Sequence, residues 1–302
     1  MTLMALQGSF ELGIIYAIMA LGVFISFRTL NMPDLSVDGS FVLGAAVSVV
    51  MSSGGRPFLS LGIAFLAGCG AGSITALLHT KLKIQPLLAG ILTMLALYSL
   101  NLKVMGGRAN IPLINKETVF SAMGRTVLGD YSVLVLSSAI LLLMLLLLFL
   151  FLNTRLGFAL RATGDNDQMV RALGVNTDFV ILMGLALSNG LVALSGALIA
   201  QSQSFVDIGM GIGMVIIGLA SVIIGEVVFG TKSLLRRLIA VVLGSIFYRL
   251  IIAFALEIGM PPNDLKLVSA VIVAGAMAMP IIKKHLSSAR RKLTVTHRER
   301  SK

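Results

Sequence analysis

Long apolar runs separated by short polar breaks occupy almost the whole chain. An α-helix that crosses a hydrocarbon core needs about 20 predominantly apolar residues. Nine segments meet or approach that length, at residues 9–27, 37–52, 58–80, 85–104, 131–152, 179–200, 206–229, 238–256 and 264–282. Residues 37–52 are short for a full crossing, so that segment either spans or re-enters. Residues 206–229 are interrupted by Gly209, Gly211 and Gly213. The fifth segment is the plainest, because Ala139 to Leu152 is unbroken Ala, Ile, Leu, Met and Phe. The pattern predicts an all-α polytopic membrane bundle of about nine transmembrane helices.

The polar breaks are unequal. Residues 106–130 form a long loop on one side, and residues 153–178 form another on the opposite side. Residues 1–282 therefore read as one transmembrane domain, and 283–302 as a basic tail lying near anionic headgroups. Charge orients the bundle. One side holds Arg28, Lys81, Lys83, Arg155, Arg161, Arg171, Lys232, Arg236, Arg237 and the eight basic residues after 282. The other side holds only Arg56, Lys103, Arg108, Lys116, Arg125 and Lys266. The positive-inside rule then puts the C-terminus in the cytoplasm and the N-terminus outside.

Composition agrees with that reading. Of 302 residues, 57% are hydrophobic and 12% charged, against about 25% charged in soluble domains. The formal charge of +11 does not point to nucleic acid, since Trp is absent and the basic residues sit in loops and the tail. The first segment carries Glu11 and no Lys or Arg precedes it, so it reads as a retained helix and not a cleaved signal. A single cysteine, Cys69, reads as a packing residue.

The loop at 153–178 holds the sharpest local signal. Asp165 followed by Gln168 has capping-box spacing, and Gly174 suits the position after a helix end. Met169 and Leu173 fall on one face of the resulting two-turn helix. So short a helix is marginal in water and needs a surface. That surface is either a partner ATPase or the protein's own bundle.

Other motifs carry less. Gly225 to Ser233 nearly spells a phosphate-binding loop, but the spacing is one residue too long and no strand precedes it. Gly68 and Gly72 have the spacing that lets helices approach closely. His79 has no second ligand at metal spacing, and no nucleophile–base arrangement is visible. Neither a metal nor a cofactor is expected, and no catalysis. Among polar residues within spans, Glu11 and Glu226 lie near helix ends, and Arg249 is expected to pair with a carboxylate or helix C-terminus. Ala20, Leu21 and Asp34 align with Ala193, Leu194 and Asp207 at one constant offset, a weak sign of an inverted repeat.

The stretch Ser26-Phe27-Arg28-Thr29-Leu30-Asn31-Met32-Pro33-Asp34-Leu35-Ser36-Val37-Asp38-Gly39-Ser40-Phe41 resembles permease subunits of the branched-chain amino-acid/ribose-type ABC importers. Leu87 to Met94, Arg161 to Asn166, Ser188 to Gly196 and Asp207 to Gly211 extend the resemblance, which covers about residues 8–282. The nearest branch in pattern is the tryptophan/tyrosine transport permeases.

The resemblance implies a type II importer permease with inverted halves, and one N-terminal helix more than this chain shows. It implies a multi-pass protein of the cytoplasmic membrane. Its implied partners are a second permease copy, two cytoplasmic ABC ATPase subunits and an extracytoplasmic substrate-binding lipoprotein. It places ATPase coupling on Arg161, Gly164, Asp165, Asn166, Met169, Arg171, Leu173 and Gly174. It places the translocation path on Thr93, Met94 and Tyr98, to which Ser188 and Asn189 are added as intramembrane polar candidates. The expected cargo is an amino acid, aromatic by branch, moved by alternating access in a dimer. The alternative is an ion-coupled secondary transporter using Glu11, Glu226 and Arg249 without an ATPase.

Overall fold

The computed structural model describes residues 3–125, 129–261, 264, 267–272, 274, 275 and 278. The first helix, α1 (Leu3–Val23), continues into a π-helical end at Phe24–Thr29. It is followed by α2 (Ser36–Ser53), α3 (Pro57–Thr80) and α4 (Pro86–Val104). Pro57 and Pro86 each open their helix at the position where a missing N–H costs nothing. A short strand β1 (Asn110–Pro112) and the helix α5 (Val119–Gly124) occupy the loop before α6 (Ser132–Leu152). Two connecting helices, α7 (Arg155–Asp165) and α8 (Asp167–Ala172), precede α9 (Thr177–Gln203). Strand β2 (Phe205–Asp207), α10 (Met214–Phe229) and α11 (Leu234–Glu257) complete the order.

Among the described residues seven helices are long and apolar enough to cross a membrane: Leu6–Thr29, α2, α3, α4, α6, α9 and α11. The coarse expectation of an all-α membrane bundle holds. The segment expected at 206–229 is not one helix. Its first residues form β2, paired antiparallel with β1 through Asn110↔Asp207, Ile111↔Val206 and Pro112↔Phe205. The chain then turns, and Gly213 at φ 88° adopts the left-handed conformation that ends the turn and starts α10. The 16 residues of α10 rise roughly 24 Å, less than a hydrocarbon core. Only about half of the ninth expected segment, 264–282, falls among the described residues, and the 283–302 tail lies outside them.

Helix α1 and helix α9 form the central pair, with Ile15, Ala17, Ile18, Met19, Ala20 and Leu21 fully buried. Helices α1, α2 and α9 bury most of their surface in protein, whereas α4 and α6 turn most of theirs outward. Lipid offers no hydrophobic drive between helices, so small residues and polar bonds must hold them. A Cβ on Gly68 would collide with the Asn189 carbonyl, and one on Gly72 with the Leu185 carbonyl. Two serines add bonds across the central pair, Ser188 Oγ donating to Gly22 O at 2.7 Å and Ser195 Oγ to Ile15 O at 2.8 Å.

Candidate functional site

Three groups of residues matter. The first is the α7–α8 connection. Thr154 caps α7 by accepting from Gly157 N, and α7 runs on through Asp165. The cap of α8 is therefore Asn166, whose Oδ1 accepts from Met169 N at 3.0 Å, and not Asp165 as the spacing to Gln168 suggested. Gly174 has φ 81° and follows the helix end as expected. Helix α8 presents two faces. Val170 is 2% exposed and seals it to the bundle, while Met169 is 51% and Leu173 73% exposed. Arg171 Nη2 donates to Asp178 Oδ1 at 2.9 Å and lies 3.9 Å from Asp167, and Lys81 also reaches Asp178. Gly164 touches the end of the first span, where a Cβ would strike the Thr29 carbonyl. Arg161 lies away from α8, its guanidinium 4.5 Å over the Phe158 ring.

The second group is on α4 and α9. Tyr98 is 54% exposed and Met94 is half-buried on the outward face of α4. The other three path candidates point inward. Thr93 accepts from Thr75 Oγ1 and donates to Ala89 O. Ser188 spans to Gly22, and Asn189 Nδ2 donates to Asp34 Oδ2 at 2.8 Å and to Leu185 O at 3.1 Å. The five residues thus fall into an outward pair and an inward trio.

The third group centres on Asp34, Asp38 and Gln201, to which the sequence assigned no site role, although Asp34 and Asp38 lie in the stretch that carries the family resemblance. Between the first span and α2 the chain breaks inside the protein, at a level beside the middle of α9. Asp34 holds that break: its Oδ1 accepts from Ser36 N at 2.9 Å and Ser36 Oγ at 2.6 Å, and its Oδ2 binds Asn189. One turn further, Asp38 reaches α10. Its Oδ2 accepts from Gly213 N at 3.0 Å and its Oδ1 from Val215 N at 2.9 Å. A carboxylate thus caps a helix whose first N–H groups would otherwise lie unsatisfied inside the bundle. Near the other end of α9, Gln201 is 1% exposed and ties three elements together. Its amide nitrogen donates to Ser48 Oγ, Ser60 Oγ and Pro57 O, and its Oε1 accepts from Val119 N. The available signal was an Asp two residues before a small residue at a helix break, present at both Asp34 and Asp207.

The ionisable residues considered as ion sites are otherwise engaged. Glu11 accepts from Gln7, and Glu226 pairs with Arg28 at 2.9 Å. Arg249 pairs with no carboxylate among the described residues; its guanidinium stands 3.9 Å over the Tyr16 ring, which itself stacks on Phe41. No group of three metal-ligating side chains exists among the described residues.

Comparison with known proteins matches residues 6–278 to the family described as branched-chain amino acid transport system / permease component. The tyrosine transport system permease protein of Clostridioides difficile (strain R20291) is 42% identical over 266 residues, covering 88% of each chain. The probable branched-chain amino acid transport permease protein LivH of Methanocaldococcus jannaschii is 26% identical, covering 67% of this chain and 68% of its own. The galactofuranose transporter permease protein YtfT of Escherichia coli (strain K12) is 27% identical, covering 85% and 74%. No solved structure matches the chain.

Proposed function

The chain belongs to the branched-chain amino acid transport permease family, and from that membership we propose how it works: as one half of a permease dimer that moves an aromatic amino acid by alternating access. That it is a membrane permease subunit of an ABC-type importer for a small polar or amino-acid-like solute, and not a catalyst, follows from the family. The aromatic cargo takes its support from the 42% identity to a tyrosine transport permease. Importers of this family imply two ATPase subunits, a substrate-binding protein and a second permease.

The observation that carries the mechanism is the two-faced helix α8. Its sealed side is Val170, and its open side offers Met169 and Leu173 to an aqueous partner. Two exposed apolar side chains, Met169 on the six-residue helix and Leu173 at its C-cap, have no use in the isolated chain, and they fit a groove on an ATPase. The α7–α8 face is then cytoplasmic, in line with the excess of basic residues on it. Gly164 against Thr29 links α7 to the first span, so motion of α8 is passed to the central pair. On the path side, the outward pair Met94 and Tyr98 suits contact with solute or with the second copy, whereas Thr93, Ser188 and Asn189 serve packing. The reading of an ion-coupled carrier has no such surface to its credit.

Contacts also support two inverted halves. The offset that carries Asp34 to Asp207 carries Ile15 to Ser188 and Gly22 to Ser195. The two serine bonds of the central pair therefore exchange places under it. It also carries Gly72 to Ser245 and Ala186 back to Gly13, and both of those pairs touch. Asp34 and Asp207 each accept from the backbone N–H two residues on.

The test is transport by the whole assembly. The permease, its ATPase and its binding protein are reconstituted in vesicles, and ATP-dependent uptake of labelled tyrosine, leucine and ribose is compared. Tyrosine uptake that requires ATP is expected. Uptake without ATP sinks the mechanism, and uptake of ribose alone sinks the cargo.

A further inference from the structure

At the level where the spans end on the α7–α8 face, a cavity of about 470 Å³ opens between three elements. Arg28 enters it from the end of the first span, Arg161 and Asp165 from α7, Lys232 from the α10–α11 connection and Arg237 from the first turn of α11. Four cations thus face one hollow against a single carboxylate. Their pairing is incomplete. Arg28 holds Glu226 through Nε, and Arg237 Nε donates to Thr231 O at 3.0 Å. Lys232 and Arg161 have no ion-pair partner among the described residues. The Nε of Arg161 is buried without any hydrogen-bond acceptor, a donor that costs free energy until an acceptor arrives. Like charges gathered over a partly apolar floor repel one another unless an anion lies among them.

The neighbourhood says which anion. Ser233 also lines a second cavity, of about 320 Å³, which runs from it along α11. That groove is lined by Phe229, Arg236 and Ala240 and by Leu235, Ile239 and Leu243, the last three spaced four residues apart so that they form one stripe on the helix. All three are exposed, as is Phe247 one turn further. A cationic hollow at the membrane surface thus meets a mainly apolar groove at Ser233, where α11 starts. A free anion would use only the first, and an acyl chain only the second.

We propose that the two cavities form one binding site for an anionic phospholipid, with the phosphoryl headgroup among Arg28, Arg161, Lys232 and Arg237 and an acyl chain along Leu235, Ile239 and Leu243. The guanidiniums donate to phosphate oxygens in forked geometry, and Lys232 adds a point charge. Because the site joins the first span, α7 and the α10–α11 turn, a bound lipid braces elements that must move together. The site does not depend on which solute is carried.

The experiment is native mass spectrometry of the full chain purified in detergent, titrated with phosphatidylglycerol, phosphatidylcholine or inorganic phosphate. The wild type is expected to hold phosphatidylglycerol about tenfold more tightly than phosphatidylcholine, and millimolar phosphate should not displace it. The double variant Arg161→Gln/Lys232→Gln should lose about thirtyfold in phosphatidylglycerol affinity, the size expected for two headgroup-facing cations. Arg108→Gln/Lys116→Gln, on the opposite face, should lose nothing. Equal retention of the two lipids by the wild type, or an unchanged double variant, overturns the site. Displacement by inorganic phosphate overturns the lipid as its occupant. Should the double variant fail to fold, the wild-type lipid comparison and Lys232→Gln alone decide the matter.

Discussion

Leu173→Glu and Val170→Glu should separate docking from folding within one helix. Helix α8 has six residues, too few to persist in water unaided. It stands because Asn166 caps it, Arg171 bonds to Asp178, and Val170 is sealed against the bundle. Burying a valine side chain contributes ~1.5–3 kcal/mol, and a carboxylate in its place adds a desolvation cost of its own. Val170→Glu should therefore release α8 and lower thermal stability. Leu173 is 73% exposed, so its replacement should change stability by no more than ~0.5 kcal/mol. If Leu173 enters an apolar groove on an ATPase, its loss removes ~1.5–3 kcal/mol of burial. That is roughly ten- to 150-fold in association at 1.4 kcal/mol per decade. The assay pairs substrate-stimulated ATP hydrolysis in reconstituted vesicles with the melting temperature in detergent. Leu173→Glu should lose stimulation with its melting temperature intact. Retained stimulation refutes the docking argument, and a large fall in melting temperature refutes the claim that Leu173 faces outward.

Three further outcomes follow from the same contacts. Asp38→Ala removes two charge-assisted bonds to the start of α10 and should cost about 3 kcal/mol, read as a lower melting temperature, with Asp38→Asn intermediate. Gly72→Leu forces α3 away from the Leu185 carbonyl and should cost more than ~2 kcal/mol, visible as poor yield and early aggregation on size-exclusion chromatography. Tyr98→Ala should alter transport at constant stability. Ser188→Ala, which loses an internal bond, should cost ~1 kcal/mol and leave the transport KM unchanged; the reverse pattern would put the path on α9.

Much of the bundle was legible because a membrane span advertises itself by length and apolarity. Helix α6 is the clearest case, and the close contacts of Gly68 and Gly72 followed from their spacing alone. What stayed hidden is backbone that departs from helix inside the protein. The segment at 206–229 is predominantly apolar, so hydropathy merges a strand, a turn and a short helix into one span. Asp207, Gly209, Gly211 and Gly213 mark the change, and none is decisive without a partner across the bundle. Asp38 shows the same difficulty. Its partners are the Gly213 and Val215 amides, and no local pattern reveals a bond so distant in sequence. The α8 cap missed by one residue because Asp165 and Asn166 are both good caps, and α7 continuing through Asp165 leaves the role to Asn166.

The placement of polar residues separates what is fixed from what can move. Asp34, Asn189, Gln201, Ser188 and Ser195 all bond inward, joining the first span, α2, α3, α5 and α9 into one block. Each bond broken inside a membrane leaves a polar group without water, at a cost of several kcal/mol. That block therefore moves as a unit. A path for a polar solute cannot open through it, because opening would break several such bonds at once. The outward faces of α4 and α6, the two most exposed spans, carry no such bonds, and of these two only α4 has a polar aromatic, Tyr98, within its length. Under the proposed function, solute would pass beside the block, where α4 meets whatever covers it, and α8 would drive the block from below through the contact of Gly164 with Thr29. On this account alternating access is a tilt of one rigid protomer against its neighbour, with the interior of each left intact.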